Sequence, residues 1–197
     1  MTFYRAVYLS VLILFYGKGF AQTKTFTLKT LGLKVGKLEA CHVAKNKIDI
    51  YASHSTIEFI TLKADVKTES IYQNGILIKA TVNSIINGEP YSSKTLWVKD
   101  RYVIDCHARN YTYSDTTLTK PIRWSAGKLY FEIPAAGVEV YTESYGKLGT
   151  LDEVKKNGLK MTTPESKQIY HYNSTYNELL KIEVINNIKN FDMIPDK

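Results

Sequence analysis

Residues 62–106 constrain the fold more than any other stretch, because four alternating segments there share one apolar face across three turns. Leu62, Ala64, Val66, Thr68, Ser70 and Tyr72 alternate with Lys63, Asp65, Lys67 and Glu69, the period of a half-buried strand. The next segment, 76–86, alternates in the same way through Ile76, Ile78, Ala80, Val82, Ser84 and Ile86. A three-residue loop, Gln73-Asn74-Gly75, keeps these faces together, pairing Tyr72 with Ile76, Ser70 with Ile78 and Val66 with Val82. Gly75 then takes the left-handed position at the loop's end. A two-residue turn at Asn87-Gly88 pairs Ser84 with Tyr91, Val82 with Ser93, Ala80 with Thr95 and Ile78 with Trp97. A second, at Lys99-Asp100, pairs Trp97 with Tyr102, Thr95 with Ile104, Ser93 with Cys106 and, on the wet face, Lys94 with Asp105. A slip of one residue would invert the face, so the agreement of all four segments is itself informative.

The flanks extend this pattern. Residues 23–44 read as one or two strands broken near Gly32 and Gly36, and 47–60 as another. Further short strands are expected at 138–145, 158–162, 167–172 and 178–188. Between Pro121 and Pro134, Ser125 stands as a helix cap, with Ala126, Leu129, Tyr130 and Ile133 at helical spacing. The expected fold is all-β and mainly antiparallel: a curved sheet or open half-barrel of about ten strands, estimated from turn spacing, with one short helix on its concave face.

Residues 1–21 have the layout of a cleaved secretory leader. Arg5 precedes an apolar run from Ala6 to Tyr16, and Gly19 and Ala21 precede a cut expected before Gln22. The apolar run is shorter than the ~20 residues a membrane span needs, and no cysteine follows the cut to carry a lipid. The expectation is an exported chain, periplasmic or extracellular, with residues 22–197 forming one domain and no span left after leader removal. The formal net charge of +7 drops by two when Arg5 and Lys18 leave with the leader. Basic and acidic residues alternate without a block of like charge, as at Lys63–Glu69, which describes solvated sheet faces and excludes a nucleic-acid surface.

Cys41 and Cys106 invite a disulfide in an oxidising compartment. The strand pattern argues against it: Cys106 lies on the apolar face, whereas Cys41 points away from Leu38 and Ala40. Cys41-His42 and Cys106-His107 suggest a metal site, yet neighbouring strand residues face opposite ways and no ligand-pair spacing supports one. His54 and His171 read as surface or rim residues. No nucleophile elbow, phosphate loop or HExxH motif is present. Asp105, Glu132, Glu139 and Glu143 occupy positions that are ordinarily solvated or cross-strand partners. No cofactor, metal or catalytic residue is assigned, and an enzyme is not favoured.

The aromatic residues Tyr72, Tyr91, Trp97 and Tyr102 project toward the apolar face, with Trp124 and Tyr130 in the helix segment. Aromatics of this kind ordinarily fill a core. One short helix, however, is too small to cover so broad a sheet, and a poorly covered curved sheet leaves an apolar trough.

The order LxVGxLxA near 33–40, SIYQNGILIKATVNSIINGEPY at 70–91, DRYVIDC at 100–106, TKPIRWSAGKLYFEIP at 119–134 and ESYGKLGTL at 143–151 resembles an uncharacterised domain-of-unknown-function family of exported Bacteroidota proteins. The Phe20-Ala21-Gln22 ending of the leader is similar to exports of that group. These motifs are turns and core positions and imply a fold, not a chemistry. More distantly, the short helix with its Ser and Leu-Tyr resembles that of a family with the curved half-barrel of periplasmic lipoprotein carriers; fold analogy alone transmits no function.

The functional expectation is an exported, non-catalytic binding or carrier protein holding a lipid or other hydrophobic small molecule. Val82, Trp97, Tyr102 and Ile104 would line the trough and Trp124 would cap it. The alternatives are a structural module that holds an envelope protein by its edge strands or lysine-rich face and, behind it, an envelope hydrolase.

Overall fold

The computed structural model describes residues 19–196 apart from 109–110, 155–156, 165 and 187–189; the expected leader lies outside this range except for its last three residues. The described residues form fourteen strands: β1 (Phe20–Thr30), β2 (Leu33–Lys45), β3 (Ile48–Phe59), β4 (Leu62–Gln73), β5 (Ile76–Ile86), β6 (Glu89–Val98), β7 (Arg101–Ala108), β8 (Tyr111–Asp115), β9 (Glu139–Thr142), β10 (Lys147–Val154), β11 (Gly158–Thr162), β12 (Ser166–Tyr172), β13 (Leu179–Asn186) and β14 (Phe191–Pro195). The cut expected before Gln22 therefore falls inside β1.

All fourteen belong to one antiparallel sheet in the order β8-β7-β6-β5-β4-β3-β2-β1-β14-β13-β12-β11-β10-β9. Among the described residues, consecutive strands other than β8 and β9 pair antiparallel, and the non-consecutive pair β1 with β14 joins the two halves. The sheet is open and curved, with β8 and β9 as edges rather than partners. The expected architecture holds, with fourteen strands in place of about ten. The segment 23–44 is two strands, the five-residue β8 and β14 carry too few alternations for their pattern to stand out, and β10 lies beyond the expected 138–145 strand.

The hairpin register follows the sequence reading closely after Asn87-Gly88. Ser84 pairs with Tyr91, Val82 with Ser93 and Ala80 with Thr95; Trp97 pairs with Tyr102, Thr95 with Ile104 and Ser93 with Cys106. The β4–β5 turn differs. Its loop has two residues, Asn74-Gly75, so Gln73 pairs with Ile76 and Tyr72 with Leu77, and the register then shifts to pair Ile71 with Lys79 and Thr68 with Val82. Ile78 is the extra residue of a bulge. The bulge conserves the inward face that the three-residue loop was invoked to protect, and brings Leu77, completely buried, inward instead of Ile76 and Ile78.

The expected helix is a single 3₁₀ turn at Ala126–Tyr130. Ser125 is extended and makes no capping hydrogen bond; it forms a bridge with Tyr141 of β9. Glu143 takes the capping role, accepting hydrogen bonds from the Ala126 and Gly127 amides at 3.1 Å each. The sheet's inner face is therefore covered by its own curvature and by the chain between β8 and β10, with the 3₁₀ turn as one small part.

Candidate functional site

Two-residue turns place the strand ends at two levels. The turns Asn46-Lys47, Asn74-Gly75 and Lys99-Asp100 lie at one end of the trough, and Leu31-Gly32, Ile60-Thr61 and Asn87-Gly88 at the other. The chain from β8 to the 3₁₀ turn closes the first end like a strap. Its backbone docks by Leu77 N–H to Ile122 O at 2.9 Å and Tyr102 N–H to Leu118 O at 2.8 Å. The Tyr102 hydroxyl donates to Leu77 O and accepts from Ile122 N–H, both at 2.9 Å.

Behind the strap the trough is filled. Glu143, only 3 % exposed, also accepts from the Ser70 hydroxyl at 2.8 Å. Tyr141 shares a hydrogen bond with Thr95, and the Tyr51 hydroxyl donates to Glu132. The Lys128 ammonium stands 4.6 Å from the Trp124 ring centre and 5.3 Å from that of Tyr72, with Glu132 at 3.4 Å. Burial, reinforced by the Glu143 carboxylate, holds the Tyr72 and Tyr141 hydroxyls well above the ordinary tyrosine range. The β9–β10 hairpin tucks beneath β6–β8 through Gly146. Its φ is +67°, and a Cβ there would lie 2.6 Å from the Ile104 methyl.

The second end is different. A cavity of 270 Å³ lies between β3–β7 and β12–β14, walled by Ile57, Val66, Val82, Ile86, Tyr91 and Phe191, with serines 84, 93, 144 and 166 and Gln168 supplying polar groups. Tyr145, in the β9–β10 turn, also lines it.

The five residues expected to hold a ligand do not converge on one opening. Val82 lines the cavity. Tyr102 and Ile104 are fully buried in the filled region, and Trp97 packs edge-on against Tyr102 with centroids 4.6 Å apart. Trp124 lies in a separate apolar cluster with Leu129 and Tyr130. Glu143 corrects the sequence reading: it is a buried acceptor, not a solvated or cross-strand acid. Nothing in its neighbourhood ThrGluSerTyrGly marks it, because its three donors come from β4 and from the strap, far away in the chain. Ile57, Tyr145 and Phe191 were also missed, since the cavity joins distant strands that periodicity treats separately.

The cysteines sit as the strand pattern predicts. Both are free; Leu38 and Ala40 face inward, and Cys106 is buried with its thiol donating to Ser144 O at 3.1 Å. Among the described residues no group of three or more His, Cys, Asp or Glu side chains is arranged to hold a metal ion.

No curated protein matches the chain. Among solved structures, the chain is similar to the crystal structure of a beta-barrel-like protein of domain of unknown function DUF1849 from Brucella abortus. The two share 6 % identity over 90 % of this chain and 95 % of that one, at a TM-score of 0.41. A family model, the domain of unknown function DUF6134, matches residues 31–196. This meets the expectation of an uncharacterised domain family. Spanning every strand of the sheet but β1, that match shows that the chain belongs to the DUF6134 family.

Proposed function

We propose that the chain is an exported, non-catalytic binding or carrier protein that holds one apolar chain of a lipid-like molecule at the open end of its trough. The observation that carries this reading is the 270 Å³ cavity, near the lower limit of about 300 Å³ for small-molecule pockets. That volume suits one acyl segment better than a whole lipid. Its walls are mainly aliphatic and aromatic, and the serines give a head group hydrogen-bonding partners.

In this reading Val82 is the contact residue among the five expected. Trp97, Tyr102, Ile104 and Trp124 form the rigid backing that keeps the trough from collapsing. Periplasmic residence remains part of the proposal, resting on the leader-like residues 1–21.

The test is titration with a fluorescent acyl-chain probe. Saturable binding at one probe per chain is expected, displaced by unlabelled fatty acid and weakened roughly tenfold or more by Val82→Phe, which fills the cavity. Non-saturable binding, or unchanged binding by a folded Val82→Phe variant, would overturn the reading.

A further inference from the structure

The hairpin turns differ at one backbone position. In each of six two-residue loops the first residue has positive φ, a conformation costly for side chains other than Gly, Asn and Asp. Four loops place polar residues there: Asn46, Asn74 and Asn87 at 52° and Lys99 at 49°. The other two place Leu31 at 49° and Ile60 at 46°. Ile60 is β-branched, the least suited of all. Neither side chain is packed: Leu31 is 87 % exposed and Ile60 85 %. Leu33 beside the first tip is also exposed. The fold gains no burial from the two residues that strain it.

Both tips stand at the open end. Ile60 lies between Ile57 and Leu62, which line the cavity, while Leu31 borders a shallow surface depression that shares Val184, Asn186 and Phe191 with the cavity. The β1–β2 and β3–β4 tips are about 10 Å apart, two strand spacings. They project as separate apolar fingers and offer no continuous flat face.

Charge around the first finger narrows the occupant. Lys29 and Lys34 flank Leu31-Gly32-Leu33 and are direct cross-strand partners, a like-charge juxtaposition that opposes folding. Neither forms a salt bridge among the described residues; Asp192, opposite Lys29 on β14, has Lys181 at 3.8 Å. At the second finger Lys63 is paired with Glu58 at 2.8 Å. Apolar tips beside lysines that form no salt bridge among the described residues, with Asp196 acting on Lys34 only through space, match a surface with anionic head groups over a deformable apolar interior.

From this we infer that the β1–β2 and β3–β4 hairpin tips dock the protein onto an anionic phospholipid bilayer, with Leu31, Leu33 and Ile60 inserting and Lys29 and Lys34 meeting the head groups. Docking in this pose turns the cavity's end of the trough toward the lipid. The inference rests on the tips alone and stands independently of what the cavity holds.

The experiment is vesicle flotation of residues 19–197, which hold all fourteen described strands, so that the apolar run at 6–16 adds no affinity of its own. Vesicles of phosphatidylcholine with an equal share of phosphatidylglycerol are compared with phosphatidylcholine alone. The wild-type chain should float with the anionic vesicles. Leu31→Asn with Ile60→Asn should lose roughly tenfold or more in apparent affinity, while its Tm stays level or rises because Asn suits positive φ. Lys29→Gln with Lys34→Gln should lose affinity for anionic vesicles only and flatten the salt dependence. Three results would overturn the inference: no flotation of the wild-type chain, undiminished flotation of the tip variant, or a wild-type dimer that the tip substitutions dissolve.

Discussion

The same strands run through both ends of the trough, and the ends differ in what the sequence between β8 and β10 lays upon them. At the closed end the strap, the 3₁₀ turn and the β9–β10 hairpin cover the concavity, where the Tyr102 hydroxyl is tied to backbone and the Tyr141 hydroxyl to Thr95. At the open end β4, β5 and β6 present Val66, Val82 and Tyr91 to a cavity. A curved sheet wider than its covering segment leaves some concave surface uncovered, and the fold concentrates that deficit in one place. Most buried polar groups, Glu143 with Ser70, Thr95, Ser125 and Thr142, are on the filled side, where an unpaired partner is costly, whereas Ser93 lines the cavity and Thr30 adjoins the open-end tip. Substitutions at the two ends should therefore have very different consequences.

The largest contrast is at Glu143. Glu143→Leu leaves the Ser70 hydroxyl and the Ala126 and Gly127 amides without their acceptor, and should cost about 3–5 kcal/mol by analogy with breaking a buried charged network. Urea denaturation followed by tryptophan fluorescence measures this. A loss below about 1 kcal/mol would mean that the strap does not depend on Glu143.

Gly146→Ala comes next. The added methyl meets Ile104 and the backbone is left-handed, so a cost of about 1–3 kcal/mol is expected in the same assay. Alkaline pH probes the tyrosines collectively. Burial raises the folded-state values of Tyr72, Tyr141 and Tyr170 above the ordinary tyrosine value of about 10. Above that pH the unfolded chain releases protons that the folded chain retains, so stability is complete below about pH 10 and falls as pH rises further, by roughly 1 kcal/mol per pH unit for each such tyrosine. Tyrosinate absorbance should lag the exposed tyrosines and then rise together with loss of circular dichroism. Gradual ionisation of every tyrosine without unfolding would contradict the packing described. The smallest effect belongs to the open end: Val66→Ala, on a wall already facing a void, should cost less than about 1 kcal/mol while lowering probe affinity.

The contrast between the ends also separates what the sequence made legible from what it did not. Alternation and turn chemistry gave the inward face of β4–β7, the β5–β6 and β6–β7 registers but not the β4–β5 register, and the opposed orientation of Cys41 and Cys106. The bulge at Ile78 was hidden, because a three-residue loop and a two-residue loop followed by a bulge serve the same face equally well. The helix reading failed at Ser125 because the acceptor for the next two amides is Glu143, supplied by a distant strand. The trough was foreseen, but its location was not. Tyr102 and Ile104 have the composition of a pocket wall and are packed solid, with Trp97 half-buried against them, since the strap that covers them carries no signal of where it docks.

The most direct test is photocrosslinking with a fatty acid bearing a diazirine near the end of its chain, followed by peptide mapping. The account predicts adducts on the open-end walls, at Val66, Val82, Tyr91 or Phe191, and none on Tyr72, Tyr102 or Tyr141. Adducts concentrated on Tyr102, Trp97 or Trp124, or no adduct competed away by unlabelled fatty acid, would contradict it.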